Sequence, residues 1–233
     1  MGVILEYRSV NKCFGEKQVL KNVNLQIKSG KVVGLLGKNG SGKSTLFKLA
    51  NDLLTVTSGD ILIDGKPVSV ESKKVVSYLP ERTYLDQNLK VCEAINFFEE
   101  FYEDFDKDKA EKLLLDLKLD KNMKLSKMSK GMKEKVQLVL VMSRDAKIYI
   151  LDEPLGGVDP ASRDYILQTI LKNFNKKSTL LISTHMIADI EKILDEVIFI
   201  DQGEIVVQDS AKNLREKENA TIDEIFRRKF YVN

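Results

Sequence analysis

Alternation is the first pattern the chain shows. Val23, Leu25 and Ile27 are apolar, while Asn22, Asn24, Gln26 and Lys28 are polar. A period of two sends the two sets to opposite faces, which predicts a half-buried strand. Residues 3–10 supply its partner across a turn near Gly15, and residues 60–68 predict a second hairpin with Asp64-Gly65 as its turn. Residues 31–36, Lys-Val-Val-Gly-Leu-Leu, read as a short buried strand. Beyond these the period lengthens. Residues 91–105 and 107–119 carry helical spacing, with Leu113, Leu114 and Leu117 on one side, and 129–144 predicts a third helix capped by Ser129. Two apolar strands, 147–152 and 179–184, flank a helix over 160–174, and 196–209 closes as a hairpin through Asp201-Gln202-Gly203. Apolar strands separated by helices belong in a parallel sheet buried on both faces. The pattern predicts one α/β domain over 1–233, with an antiparallel β edge and an all-helical insertion over about 84–144.

One turn in this plan carries chemistry. Gly37-Lys38-Asn39-Gly40-Ser41-Gly42-Lys43-Ser44 joins the strand at 31–36 to a helix opening at Thr45. It fits Gly-x4-Gly-Lys-Ser/Thr at every fixed position. Glycines let backbone N–H groups curl around phosphate oxygens, and the helix start adds unpaired N–H groups at the positive end of its dipole. Lys43 then meets the β- and γ-phosphates, and the Ser44 hydroxyl holds Mg²⁺. A second segment, Ile148-Tyr149-Ile150-Leu151-Asp152-Glu153, is an apolar strand ending in two acids. Asp152 emerges at the carboxyl end of the strands, where the first loop also delivers phosphate, and can bind Mg²⁺ through water. Glu153 points elsewhere and can polarise an attacking water as a general base.

Composition narrows the partners. Lys and Arg total 37 against 35 Asp and Glu, so the net charge is only +2 and no nucleic-acid partner is expected. Cys13 and Cys92 have no metal-type spacing and read as reduced cytosolic residues. The first residues show neither a signal peptide nor a myristoylation pattern, and no apolar run approaches the ~18 residues that span a bilayer. Any membrane work is expected to go through a partner. The acidic run Glu99, Glu100, Glu103, Asp104, Asp106 and Asp108 reads as a solvated helix face.

In order along the chain, these pieces resemble the ATP-binding-cassette ATPases over nearly the whole length. Asp152-Glu153-Pro154 with Gly156-Gly157-Val158-Asp159 resembles that family's second nucleotide motif and D-loop. Ser183-Thr184-His185 resembles its switch-histidine strand, Met128-Ser129-Lys130-Gly131-Met132 its signature, and Phe14 the aromatic that stacks on adenine. The resemblance implies a P-loop NTPase core, ATP and Mg²⁺ as cofactors, and catalysis by Glu153 and His185, the imidazole touching the γ-phosphate. It implies nucleotide contacts from Phe14, the 37–45 loop and Asp159, and from Ser129, Lys130 and Gly131 across a homodimer or heterodimer. Metal contacts are implied for Ser44, Asp152 and Glu81.

Two positions depart from the family's common pattern. The signature commonly reads Leu-Ser-Gly-Gly-Gln, and Glu81 stands where a glutamine commonly reaches Mg²⁺ and the attacking water. Both departures resemble bacterial half-size transporter ATPases whose membrane permease is a separate chain. The expected place is then cytoplasmic, peripheral on the inner face of the cell membrane, with export as the expected direction. Tyr84 and Leu85 are expected to form an apolar lip that docks the permease. A soluble cassette ATPase with a non-transport role is the alternative. A GTPase would need Asn-Lys-x-Asp, and Asn11-Lys12 is followed by Cys13-Phe14.

Overall fold

Two sheets organise the chain, which is described over residues 2–231 in a computed structural model. β1 (Val3–Phe14) and β2 (Lys17–Lys28) form the long hairpin that the alternation predicts, with Val10 opposite Val23 and Tyr7 opposite Leu25. β3 (Val32–Leu36) leads into α1 (Lys43–Ala50). β4 (Ser58–Ile63) and β5 (Lys66–Pro67) make the second hairpin, and Asp64 and Gly65 adopt its left-handed turn. β6 (Val76–Leu79) precedes three helices, α2 (Val91–Phe101), α3 (Lys107–Asp116) and α4 (Lys130–Met142). Then come β7 (Ile148–Asp152), α5 (Pro160–Asn173), β8 (Thr179–Thr184) and the short α6 (Ile187–Ile190). β9 (Glu196–Asp201), β10 (Glu204–Ser210), α7 (Ala211–Glu218) and α8 (Ile222–Phe230) complete the order.

The first sheet is antiparallel, in the order β2-β1-β4-β5. The second runs β10-β9-β3-β8-β7-β6 and is parallel except for its β10 edge. Strand parity divides the core. Ile148 and Ile150 of β7 face α1 and the first sheet, with Leu46 and Phe47. Tyr149 and Leu151 face the helices, with Val136, Leu140 and Ile170. A sheet covered on both faces explains why its strands are apolar throughout.

β6, α6, α7 and α8 lie outside the expectations, and α6 is a single turn of four residues. β6 is four residues long, too short to show a period, and pairs on one side only. α7 and α8 carry start signals that local reading passed over. Ser210 accepts from the N–H of Asn213, and Thr221 and Glu224 form a capping box. Ile222, Ile225 and Phe226 of α8 pack onto the sheet, where the Phe226 and Phe199 rings meet edge to face at 5.4 Å. The first two predicted helices also stop early, at Phe101 and Asp116, because Tyr102 turns extended and Lys118 turns left-handed.

Arg144 joins the helices to the sheet. Its guanidinium is 3% exposed and pairs with both oxygens of Asp104 at 2.9 and 3.1 Å. It also donates to the carbonyls of Lys73, Lys74 and Val76, and lies 3.8 Å over the Tyr102 ring. At the other end, Gly203 in the β9–β10 turn donates to the Ser41 carbonyl and accepts from the N–H of Lys21. The loop after β3 is therefore braced by both sheets.

Candidate nucleotide site

β3 ends at Leu36, and the chain turns through 37–42 before α1. Gly42, at φ +114, takes a conformation that a Cβ would strain, and so lets Lys43 fold back beneath the loop. The Lys43 ammonium is 5% exposed and donates to the carbonyls of Gly37 at 2.8 Å and Lys38 at 3.2 Å. It also lies 3.4 Å from Glu153 Oε1.

β7 delivers the acids to the same place. Asp152 is 1% exposed; its Oδ1 accepts from Ser183 Oγ at 2.5 Å, while Oδ2 makes no hydrogen bond. Burial pushes its carboxyl above the usual aspartate range, and the Ser183 and Ser44 hydroxyls pull it partly back. An orphaned buried carboxylate oxygen beside a serine hydroxyl is the donor set a hard divalent cation takes, so these residues fit Mg²⁺. Among the described residues no group of three or more His, Cys, Asp and Glu forms a metal cage. That suits a metal held by Ser44 and Asp152 together with phosphate oxygens of a substrate.

Glu153 adopts φ +50, a left-handed turn in a residue with a Cβ. Its N–H is held by Ser183, at 3.0 Å from Oγ and 3.2 Å from the carbonyl oxygen, so the strained turn is over-determined by β8. The turn sets its carboxylate between Lys43 and His185, whose Nδ1 lies 2.9 Å from Oε2.

These groups open onto one cleft of 1280 Å³. Asn39, Gly40, Gly42, Lys43, Ser44, Thr45, Glu81, Lys130, Asp152, Glu153 and His185 all line it. Gly37, Lys38 and Ser41 lie outside its lining, in the rear of the loop, where the Ser41 hydroxyl is buried without a partner. Phe14 lies at the tip of β1, exposed, with the Lys12 ammonium 4.8 Å from its ring centroid. Ser129 caps α4, accepting from the N–H of Met132 at 3.2 Å, and Gly131 follows in the first turn. Asp159 caps α5 by accepting from the N–H of Ser162. Of the expected lip, Tyr84 is exposed but Leu85 is buried among the helices with Val91 and Leu125, so the apolar lip is corrected to Tyr84 alone. Burying Leu85 anchors the loop that follows Glu81.

The parts that three residues play escaped the reading of the sequence. Ser183 bridges Asp152 and Glu153; its signal was a Ser-Thr pair inside an apolar strand. Glu134, on α4, packs its carboxyl against Gly157, and burial pushes its pKa up. Tyr78 carries a buried hydroxyl with no partner. Nothing local in the sequence distinguishes the last two.

A glycine-rich loop at a helix start, a buried lysine and two acids at the strand ends define a phosphate-loop nucleoside triphosphatase. A family profile described as ABC transporter matches residues 20–156. The glutamine transport ATP-binding protein GlnQ of Escherichia coli (strain K12) is 32% identical over 214 residues, covering 87% of this chain and 89% of that protein. The lantibiotic transport ATP-binding protein SrtF of Streptococcus pyogenes is 30% identical over 230 residues, 94% of this chain and 97% of that protein. A solved structure described as the ATP-binding subunit of an ABC transporter superposes with a TM-score of 0.85 at 26% identity, covering 96% and 98% of the two chains. The chain belongs to the ABC transporter family, and within it to the ATP-binding subunits, which are ATPases.

Proposed function

We propose that this chain binds Mg-ATP in the cleft, hydrolyses it with Glu153 as general base, and drives solute export through a separately encoded membrane permease. The observation that carries the reading is the meeting of Lys43, Glu153 and His185 at the mouth of the phosphate loop. Lys43 is the cation for the β- and γ-phosphates. Ser44 and Asp152 would hold Mg²⁺, with Glu81 beside them, and a bound metal would supply positive charge against the phosphate oxygens. Triphosphate competes with the Glu153 carboxylate for Lys43, which frees Glu153 to orient a water. His185 steadies that carboxylate through Nδ1 and presents the rest of its ring to the γ-phosphate. Phe14 offers an exposed face for any purine, so ATP is preferred only weakly over GTP.

The signature residues Ser129, Lys130 and Gly131 and the D-loop Asp159 act across a head-to-tail homodimer or heterodimer. Lys130 is a largely exposed cation, 3.8 Å from the Glu134 carboxylate. No described helix is long and apolar enough to cross a membrane; in this reading the chain sits peripherally on the inner face of the cell membrane, against a permease that is a separate chain. Exposed Tyr84, and Phe97 and Phe101 stacked on α2, offer it an aromatic docking face. Export is the direction that the signature and Glu81 departures support.

The test is recovery of the tagged chain from its native membranes. Co-purification of a polytopic membrane protein, with ATPase activity raised on reconstitution, supports transport. Recovery without any membrane chain sinks it in favour of a soluble role.

A further inference from the structure

Asp152 has a neighbour that none of the motifs described above uses. β6 and β7 pair in parallel, with Tyr78 beside Ile150. A period of two then puts Asp152 on the same face, one step nearer the carboxyl end. Tyr78 and Ile150 accordingly pack in the core beneath α1, the helix that starts with Lys43 and Ser44. With strands about 4.8 Å apart and a rise of about 3.3 Å per residue, diagonal neighbours of this kind stand about 8 Å apart, within reach of an aromatic side chain.

Two polar atoms are left unsatisfied at this spot. The Tyr78 hydroxyl is buried with no hydrogen bond, and so is Asp152 Oδ2. A buried hydroxyl without a partner costs about 1–3 kcal/mol, so a tyrosine here is poorer in stability than a phenylalanine unless something uses it. Burial raises the pKa of the phenol, and the negative charges of Asp152 and Glu81 add to the rise, so both carboxylates lie in its neighbourhood. A phenol can accept one hydrogen bond and donate another.

Building on the Mg-ATP reading, we propose that Tyr78 is a positioning residue of the magnesium site. Its oxygen accepts from a metal-bound water that also donates to Asp152 Oδ2, and its proton turns toward Glu81. Both orphaned atoms are then satisfied by one water, and Glu81 is held beside the metal by a neutral donor. This gives the carboxylate at 81 a partner that a glutamine there would not need.

The test is Tyr78→Phe, with Mn²⁺ as the probe. Mn²⁺ binding to the ADP complex is followed by electron paramagnetic resonance, and ADP binding is measured separately in EDTA. The expected result is Mn²⁺ affinity weakened about fivefold with an altered spectrum, while ADP affinity in EDTA and the melting temperature of the unliganded protein are unchanged or raised. Glu81→Gln in the Tyr78→Phe background is expected to recover part of the loss. An unchanged Mn²⁺ affinity and spectrum overturn the proposal, as does a drop in melting temperature with Mn²⁺ binding intact, which marks a packing residue. Failure of the wild-type chain to bind ADP at all overturns the Mg-ATP reading itself.

Discussion

Lys43 and Glu153 form a closed pair across the mouth of the loop, and the two residues answer to opposite tests. Lys43→Ala removes a buried cation with at least two hydrogen bonds, and ATP affinity is expected to fall on the order of 100-fold by calorimetry. Unchanged affinity would refute the loop's role. Glu134 gives a pH test. Burial raises its pKa in the fold above the unfolded value, and the Lys130 charge lowers it only in part. The folded chain therefore holds this proton more tightly, so the group's contribution is present at low pH and lost as pH rises through the folded pKa. Glu134→Gln, always neutral, is expected to raise the melting temperature near about pH 8, with the gain shrinking toward about pH 4. A gain that is the same at both ends would place the cause elsewhere. At this scale the sequence was legible wherever a motif fixed residue type and spacing, as at Lys43, Ser44 and Asp152. The roles of Ser183, Glu134 and Tyr78 were not legible, because each depends on a residue 20 or more positions away, Asp152 for Ser183 and Tyr78 and Gly157 for Glu134, and only the fold brings these together.

Among the elements, the joint between the helices and the sheet rests on Arg144. Its guanidinium ties Asp104 of the α2–α3 connection to three carbonyls just before and within β6. Arg144→Met keeps most of the packing but leaves these carbonyls unpaired. A loss of about 3 kcal/mol is expected, near 10 °C in melting temperature for a chain of this size. A shift below about 2 °C would mean that the guanidinium contributes little and that packing holds the joint. Long alternating strands and apolar parallel strands were readable because their period repeats. β6 was not, since four residues cannot show one, although it positions both Tyr78 and the start of the Glu81 loop. The helix starts at Ser210 and Thr221 carried caps that reading by apolar stripe alone passed over.

On the scale of the whole molecule, α/β class, two sheets and intervening helices all follow from the order of periods along the chain. The closeness of loops from distant segments does not, because the β9–β10 turn braces the phosphate loop only once both sheets are in place. A head-to-tail dimer is expected when hydrolysis is blocked. Glu153→Gln with Mg-ATP should sediment as twice the mass of the nucleotide-free chain, or pair with a second ATPase subunit if the native dimer is mixed. A monomer in both conditions would rule out the ATP-sandwiched arrangement. The most direct measurement is phosphate release from Mg-ATP by the wild-type chain beside Glu153→Gln. The account predicts turnover by the wild type, a loss of 10² to 10⁴-fold on the order expected for a general base, and ATP affinity equal or tighter in the variant because Lys43 loses a competing carboxylate. Equal turnover by the two proteins would contradict it.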